Sequence, residues 1–91
     1  MSETKIAISS LAMDLKRVAL GYWKGSDQTA LRFADEALRR QLELNSKKMK
    51  PYVKDLLKKL PQTLGQKDKQ KLAEDALMLS TLFQNYALKI D

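Results

Sequence analysis

Apolar residues recur along this chain at intervals of three and four, and no stretch alternates apolar with polar residues at the period of two that a half-buried strand needs. Four amphipathic helices are therefore predicted. The first spans about residues 5–24, with Ile8, Leu11, Leu15, Val18, Ala19 and Tyr22 on its inner stripe. Ser2 caps it and Gly25 stops it, because glycine enters the left-handed conformation without steric cost. Tyr22, Trp23 and Lys24 beside Gly25 are the one cluster placed for base stacking. Tyr22 lies on the stripe and Trp23 on its margin, however, so packing with the core is the preferred reading. The second helix spans about residues 28–44, is capped by Ser26 or Asp27 and ends at Asn45 and Ser46. Its stripe of Ala30, Phe33, Ala34, Ala37, Leu38 and Leu44 is rich in small residues that permit close helix approach. Gln41 lies inside that stripe and needs a hydrogen-bonding partner if buried.

The third helix begins at Pro51, whose fixed φ suits the first helical position, and turns Tyr52, Val53, Leu56, Leu57 and Leu60 inward. Pro61 is expected to end or kink it, and residues 61–68, with Gly65 among them, read as a turn. The fourth helix spans about residues 69–88 on a stripe of Leu72, Ala76, Leu79, Phe83, Tyr86 and Ala87. Leu77, Met78, Leu82 and Leu88 lie off that line, so this helix is either central in a bundle or partly covered by another chain. The segment 34–38 (ADEAL) recurs as 73–77 (AEDAL), a faint repeat that would suit two similar helical hairpins. The fold class is all-α, a small up-down bundle of four helices making a single domain over residues 1–91, a size at which roughly 60–65% of the unfolded surface is buried.

Charge changes this picture, because it is not evenly spread. Residues 39–71 hold 11 of the 17 basic residues and only Glu43, Asp55 and Asp68 as acids, while the rest of the chain is slightly acidic. One side or end of the molecule is therefore expected to be strongly electropositive and to attract phosphate backbones, anionic membranes or acidic proteins. The absence of cysteine excludes disulfides and thiolate zinc sites and suits a reducing, cytoplasmic location. No secretory leader is predicted, since residues 1–5 are polar, and the longest apolar run, 76–79, is far short of a membrane span.

Candidate chemistry is sparse. Without histidine or cysteine the chain lacks the usual general base, the usual nucleophile pairs and the commonest metal ligands. Asp35 with Glu36 and Glu74 with Asp75 are neighbours that diverge on a helix, and Gly21, Gly25 and Gly65 fit no phosphate-binding loop. The reading is a non-enzyme with no catalytic residue, metal, cofactor or small-molecule substrate.

Within the basic segment, Arg39 and Arg40 have a structural account, as cations near the C-terminus of the second helix. Lys47, Lys48 and Lys50 do not, because they crowd the start of the third helix, where its dipole disfavours positive charge. Lys50, Lys54 and Lys58 then follow at intervals of four, opposite the apolar stripe. Such a ridge is either a solubilising face or a phosphate-binding one, in which each lysine that meets a phosphate releases condensed counterions. Arg39, Arg40, Lys47, Lys48, Lys50, Lys54 and Lys58 are the candidate nucleic-acid contacts. On the outer face of the first helix Met13, Arg17, Leu20 and Lys24 align at helical spacing, and with Met78 and Leu82 they are the candidate protein interface.

A short, cysteine-free, basic, all-helical chain containing the stretch 11–26, LAMDLKRVALGYWKGS, resembles the small subunits of Cascade-type CRISPR effector complexes, which are helical bundles. The resemblance implies a non-catalytic antiviral-defence role in which the subunit packs against other protein subunits, copies of itself among them, while its cations hold RNA or DNA phosphates without reading sequence. It supplies no motif from which individual residues can be carried over. The sequence thus points to a helical subunit of a nucleoprotein complex that contacts the nucleic-acid backbone, with no membrane partner. Its rival is a protein–protein adaptor or antidote-like helical module that binds no nucleic acid.

Overall fold

Glycine and proline punctuate the chain where the helices begin and end. In the computed structural model, which describes residues 3–44 and 49–90, the helices are α1 (Glu3–Trp23), α2 (Asp27–Glu43), α3 (Pro51–Leu64) and α4 (Lys69–Lys89), with no strand among the described residues. The expected roles of Ser2, Asn45 and Ser46 lie outside the described residues. Gly25 ends α1 at φ 77°. The Gly25 N–H donates to the Tyr22 carbonyl (3.1 Å) and the Ser26 N–H to the Gly21 carbonyl (2.8 Å), the paired bonds of a Schellman motif. Ser26 then opens α2, its carbonyl accepting from the Ala30 N–H at 3.1 Å and its hydroxyl donating to Thr29 Oγ1 at 2.7 Å.

The tight turn folds α2 directly back onto α1. A Cβ on Gly21 would lie 2.9 Å from the Ala30 backbone nitrogen and 3.1 Å from its Cα, so only glycine allows the two helices to approach this closely. Asp68 caps α4, its carboxylate accepting from the Gln70 and Lys71 N–H groups at 3.1 and 3.2 Å.

Pro61 neither ends α3 nor stops it from reaching Leu64. A proline has no N–H to offer the carbonyl four residues earlier, here that of Leu57. Gln41 Nε2 of α2 donates to that carbonyl instead, at 2.7 Å. The buried partner required of Gln41 is therefore the acceptor that Pro61 leaves vacant. One turn later the Gly65 N–H closes on the Pro61 carbonyl at 3.0 Å.

Each helix runs antiparallel to the one before it, as the pairs Gly21–Ala30, Gln41–Leu57 and Tyr52–Tyr86 require. The last helix also returns alongside α1, where the buried Ser80 hydroxyl donates to the Ala12 carbonyl at 2.6 Å. α1 is the most engaged helix, packed against α4 and α2, while α3 is attached more lightly to both of those neighbours. The two hairpins suggested by the internal repeat are thus packed differently. α4 is not the central helix, and its surplus apolar residues Met78, Leu82 and Leu88 stay exposed.

The core has two parts. One joins Ile8, Leu11 and Leu15 to Val53, Leu57, Leu60, Leu79 and Phe83; the other, built from smaller residues, joins Val18 and Ala19 to Ala34, Leu72, Ala73 and Ala76. Leu64, in the turn of α3 that follows Pro61, packs against both. Tyr52 departs from expectation: it is half-exposed at the rim, its ring meeting that of Tyr86 edge-on at 5.9 Å.

Two substitutions test this account. Gly21→Ala is expected to destabilise the fold by about 1–3 kcal/mol in urea unfolding, the opposite sign to the gain of about 1 kcal/mol that helix propensity alone would give. Gln41→Met, which keeps the volume and removes the donor, is expected to cost about 1–2 kcal/mol in the same assay.

Candidate nucleic-acid interface

Lys50 occupies the N-cap position of α3 with extended backbone (φ −63°, ψ 149°), makes no side-chain cap and is followed by no acidic residue in the first turn. An ammonium at that end of a helix faces the positive pole of the dipole. Lys54 and Lys58 continue along α3, the first half-buried and the second exposed. None of the three has an ion pair among the described residues. The same is true of Lys59 on α3 and Lys67 in the turn that follows, two exposed cations not singled out from sequence. The signal that could have found them is the run of lysines itself. Lys47 and Lys48 lie outside the described residues.

The two arginines of the candidate set stand elsewhere. Arg40 reaches across to α1, where its Nε donates to Asp14 Oδ2 at 2.7 Å; the Asp14 side chain is 5% exposed and that of Arg40 37%. Arg39 lies on the outer face of α2, paired one turn back with Glu36 at 3.1 Å. The fold therefore gathers Lys50, Lys54 and Lys58 on one helix and brings neither arginine into that ridge. Asp14 is the consequential residue that sequence reasoning passed over. Its signal was a carboxylate three residues after Leu11 and four before Val18, inside apolar spacing.

Two further lysines are held by acids. Lys69 donates to Asp27 of α2, whose hydrogen bond first and charge second raise the lysine above its ordinary pKa. That contribution to stability is complete below the ordinary lysine value and is lost as pH rises through the raised one. Asp75 accepts from Gln66 Nε2 at 3.0 Å and from Lys71 Nζ at 3.3 Å. The Gln66 bond, opposed by partial burial and helped by Lys71, holds the carboxyl below its ordinary value. Its contribution is present above the ordinary carboxylate range and is lost as pH falls through the lowered value.

The candidate protein interface draws on α1, the turn after it and α4. Met13, Arg17 and Leu20 are exposed on α1 and Lys24 is exposed in the turn that follows it; the Arg17 guanidinium lies 5.2 Å from the centre of the Phe33 ring, which Arg32 also approaches. Met13 borders a groove between α1 and α4 together with Lys16, Leu77 and Thr81. Met78 and Leu82 are exposed on α4, and Met78 shares a helix face with Thr81 and Asn85, which line that groove.

Among the described residues no cluster of acids could hold a metal ion, and no helix is long and apolar enough to cross a membrane. No family model, curated protein or solved structure matches the chain.

The contrast between the arginines is measurable. Arg40→Gln strands the buried Asp14 carboxylate and is expected to cost about 2 kcal/mol, less than the full loss at a wholly buried pair because the guanidinium is partly solvated. Arg39→Gln removes an exposed pair and is expected to change stability by no more than about 0.5 kcal/mol. Parallel urea titrations of the two variants make the comparison.

Proposed function

We propose that this protein is a non-catalytic helical subunit of a nucleoprotein complex that holds nucleic-acid backbone on the lysine ridge of α3. The observation that carries the reading is the pairing state of the cations. Arg39, Arg40, Lys69 and Lys71 each have an intramolecular carboxylate, whereas Lys50, Lys54 and Lys58 have none among the described residues. Three like charges spaced along one helix, the first at the positive pole of its dipole, weaken that helix when it stands alone. Phosphate relieves the repulsion and gains counterion-release entropy in the same step. Lysine suits contacts that follow the backbone, because its flexible point charge imposes no bidentate geometry. The exposed apolar residues of α1 and α4 support contacts with other protein subunits, and the resemblance to small Cascade-type subunits points in the same direction. A reducing, cytoplasmic setting accords with the absence of cysteine.

Salt titration tests the proposal. The chain is expected to bind duplex DNA at low ionic strength, with log K falling linearly in log salt. Replacing Lys50, Lys54 and Lys58 by Ser is expected to reduce the magnitude of that slope by about 2–3. Undetectable binding at low salt would instead favour the adaptor reading, in which Met13, Leu20, Met78 and Leu82 are the contact residues.

A further inference from the structure

The turn between α1 and α2 and the turn between α3 and α4 lie at the same end of the bundle, where Lys69 meets Asp27. There Tyr22, Trp23, Lys69 and Gln70 line an open cleft of about 260 Å³. Trp23 was expected to pack with the core, yet it is 49% exposed. Its backbone is nonetheless held firmly. It is the last residue of α1, ahead of the Schellman turn at Gly25, and Gly21 one half-turn earlier packs against Ala30. The opposite wall is fixed too, since Asp27 holds the Lys69 ammonium and Asp68 caps the first turn of α4. The Gln70 amide has no hydrogen-bond partner among the described residues, and Lys24 and Lys67, which flank the two turns, have no ion pair among them.

We propose that this cleft is a base-stacking subsite for single-stranded nucleic acid. An exposed aromatic face on a fixed backbone, an unoccupied amide and flanking ammonium groups are what an unpaired nucleotide requires: a surface for the ring, a partner for its edge and charges for its phosphates. A duplex does not meet this requirement, because its base faces are already covered by their neighbours. The inference rests on the nucleic-acid reading of α3 and extends it. α3 runs toward this end of the bundle, so a strand lying along Lys50, Lys54 and Lys58 arrives at the turn that carries Lys67, next to the cleft.

Trp23 is the chain's only tryptophan, so its emission reports on the cleft alone. The full chain is titrated at low salt with a single-stranded oligothymidylate and with a blunt duplex of equal length. Binding is followed by anisotropy of the labelled nucleic acid and, separately, by Trp23 emission. The single strand is expected to quench that emission and the duplex to leave it nearly unchanged. Trp23→Ala is expected to weaken single-strand binding on the order of tenfold without altering its salt slope, because stacking releases no counterions. Trp23→Phe, which keeps an aromatic face, is expected to retain most of the affinity, and thermal melts confirm that both variants are folded. Single-strand binding with unchanged emission, or undiminished in Trp23→Ala, overturns the cleft and leaves the ridge standing. Quenching together with an unaltered salt slope in the Lys50, Lys54 and Lys58 variant overturns the ridge and leaves the cleft. Failure of both nucleic acids to bind overturns both.

Discussion

The course of α3 depends on one carbonyl that its own helix cannot satisfy. Pro61 takes the place of the N–H that the Leu57 carbonyl would have received, and without another donor the helix would lose its reason to continue. Gln41 supplies that donor from α2. The helix therefore runs one more turn, to Leu64, the residue that touches both parts of the core. The same bond ties α3, the most lightly packed helix, to α2 at a fixed register, and so sets where the lysines along its outer side stand relative to the bundle. A single side-chain amide thus links core continuity to the placement of charge.

Electrostatics in this molecule divide by location rather than by residue type. Some cations have carboxylates within the chain: Arg39 with Glu36, Arg40 with the buried Asp14, Lys69 with Asp27 and Lys71 with Asp75. Those on α3 have none among the described residues. A field that persists after internal pairing is the one available to a partner, and it is narrower than the net charge of +6 suggests. Arg40 serves the fold through the buried Asp14, whereas Lys50 and Lys58 of the α3 ridge stand exposed with no carboxylate among the described residues.

Helix existence and inner faces were legible from spacing alone, because burial of a 3.6-residue stripe is a local property of the sequence. Ile8, Leu11, Leu15, Val18 and Ala19 are buried as their spacing requires, as are Leu72, Ala76, Leu79, Phe83, Tyr86 and Ala87. The hydrogen-bonding need of Gln41 was also legible, but not its acceptor, since that depends on which helix lies opposite. Of the two outcomes expected at Pro61, an end to the helix is not what is found, for the same reason: its local penalty is real, and a residue 20 positions earlier in the chain offsets it. Tyr52 and Trp23 sit at the ends of their stripes, where the next helix falls short and periodicity no longer reports burial. The separation of Arg39 and Arg40 from the α3 ridge could not be read either, because adjacent residues on one helix point to different neighbours.

The close contact between Gly21 and Ala30 has an evolutionary corollary. Where α1, α2 and α4 meet through alanines, the distance between helix axes is set by the smallest side chains available, and one added methyl group has nowhere to go. At the other end, Ile8, Leu57, Leu79 and Phe83 fill the space between helices with bulky groups that can be exchanged for one another at similar volume. Drift among descendants of this sequence should therefore be lopsided, with aliphatic residues reshuffling freely in the broad half of the core and small ones held nearly constant in the narrow half.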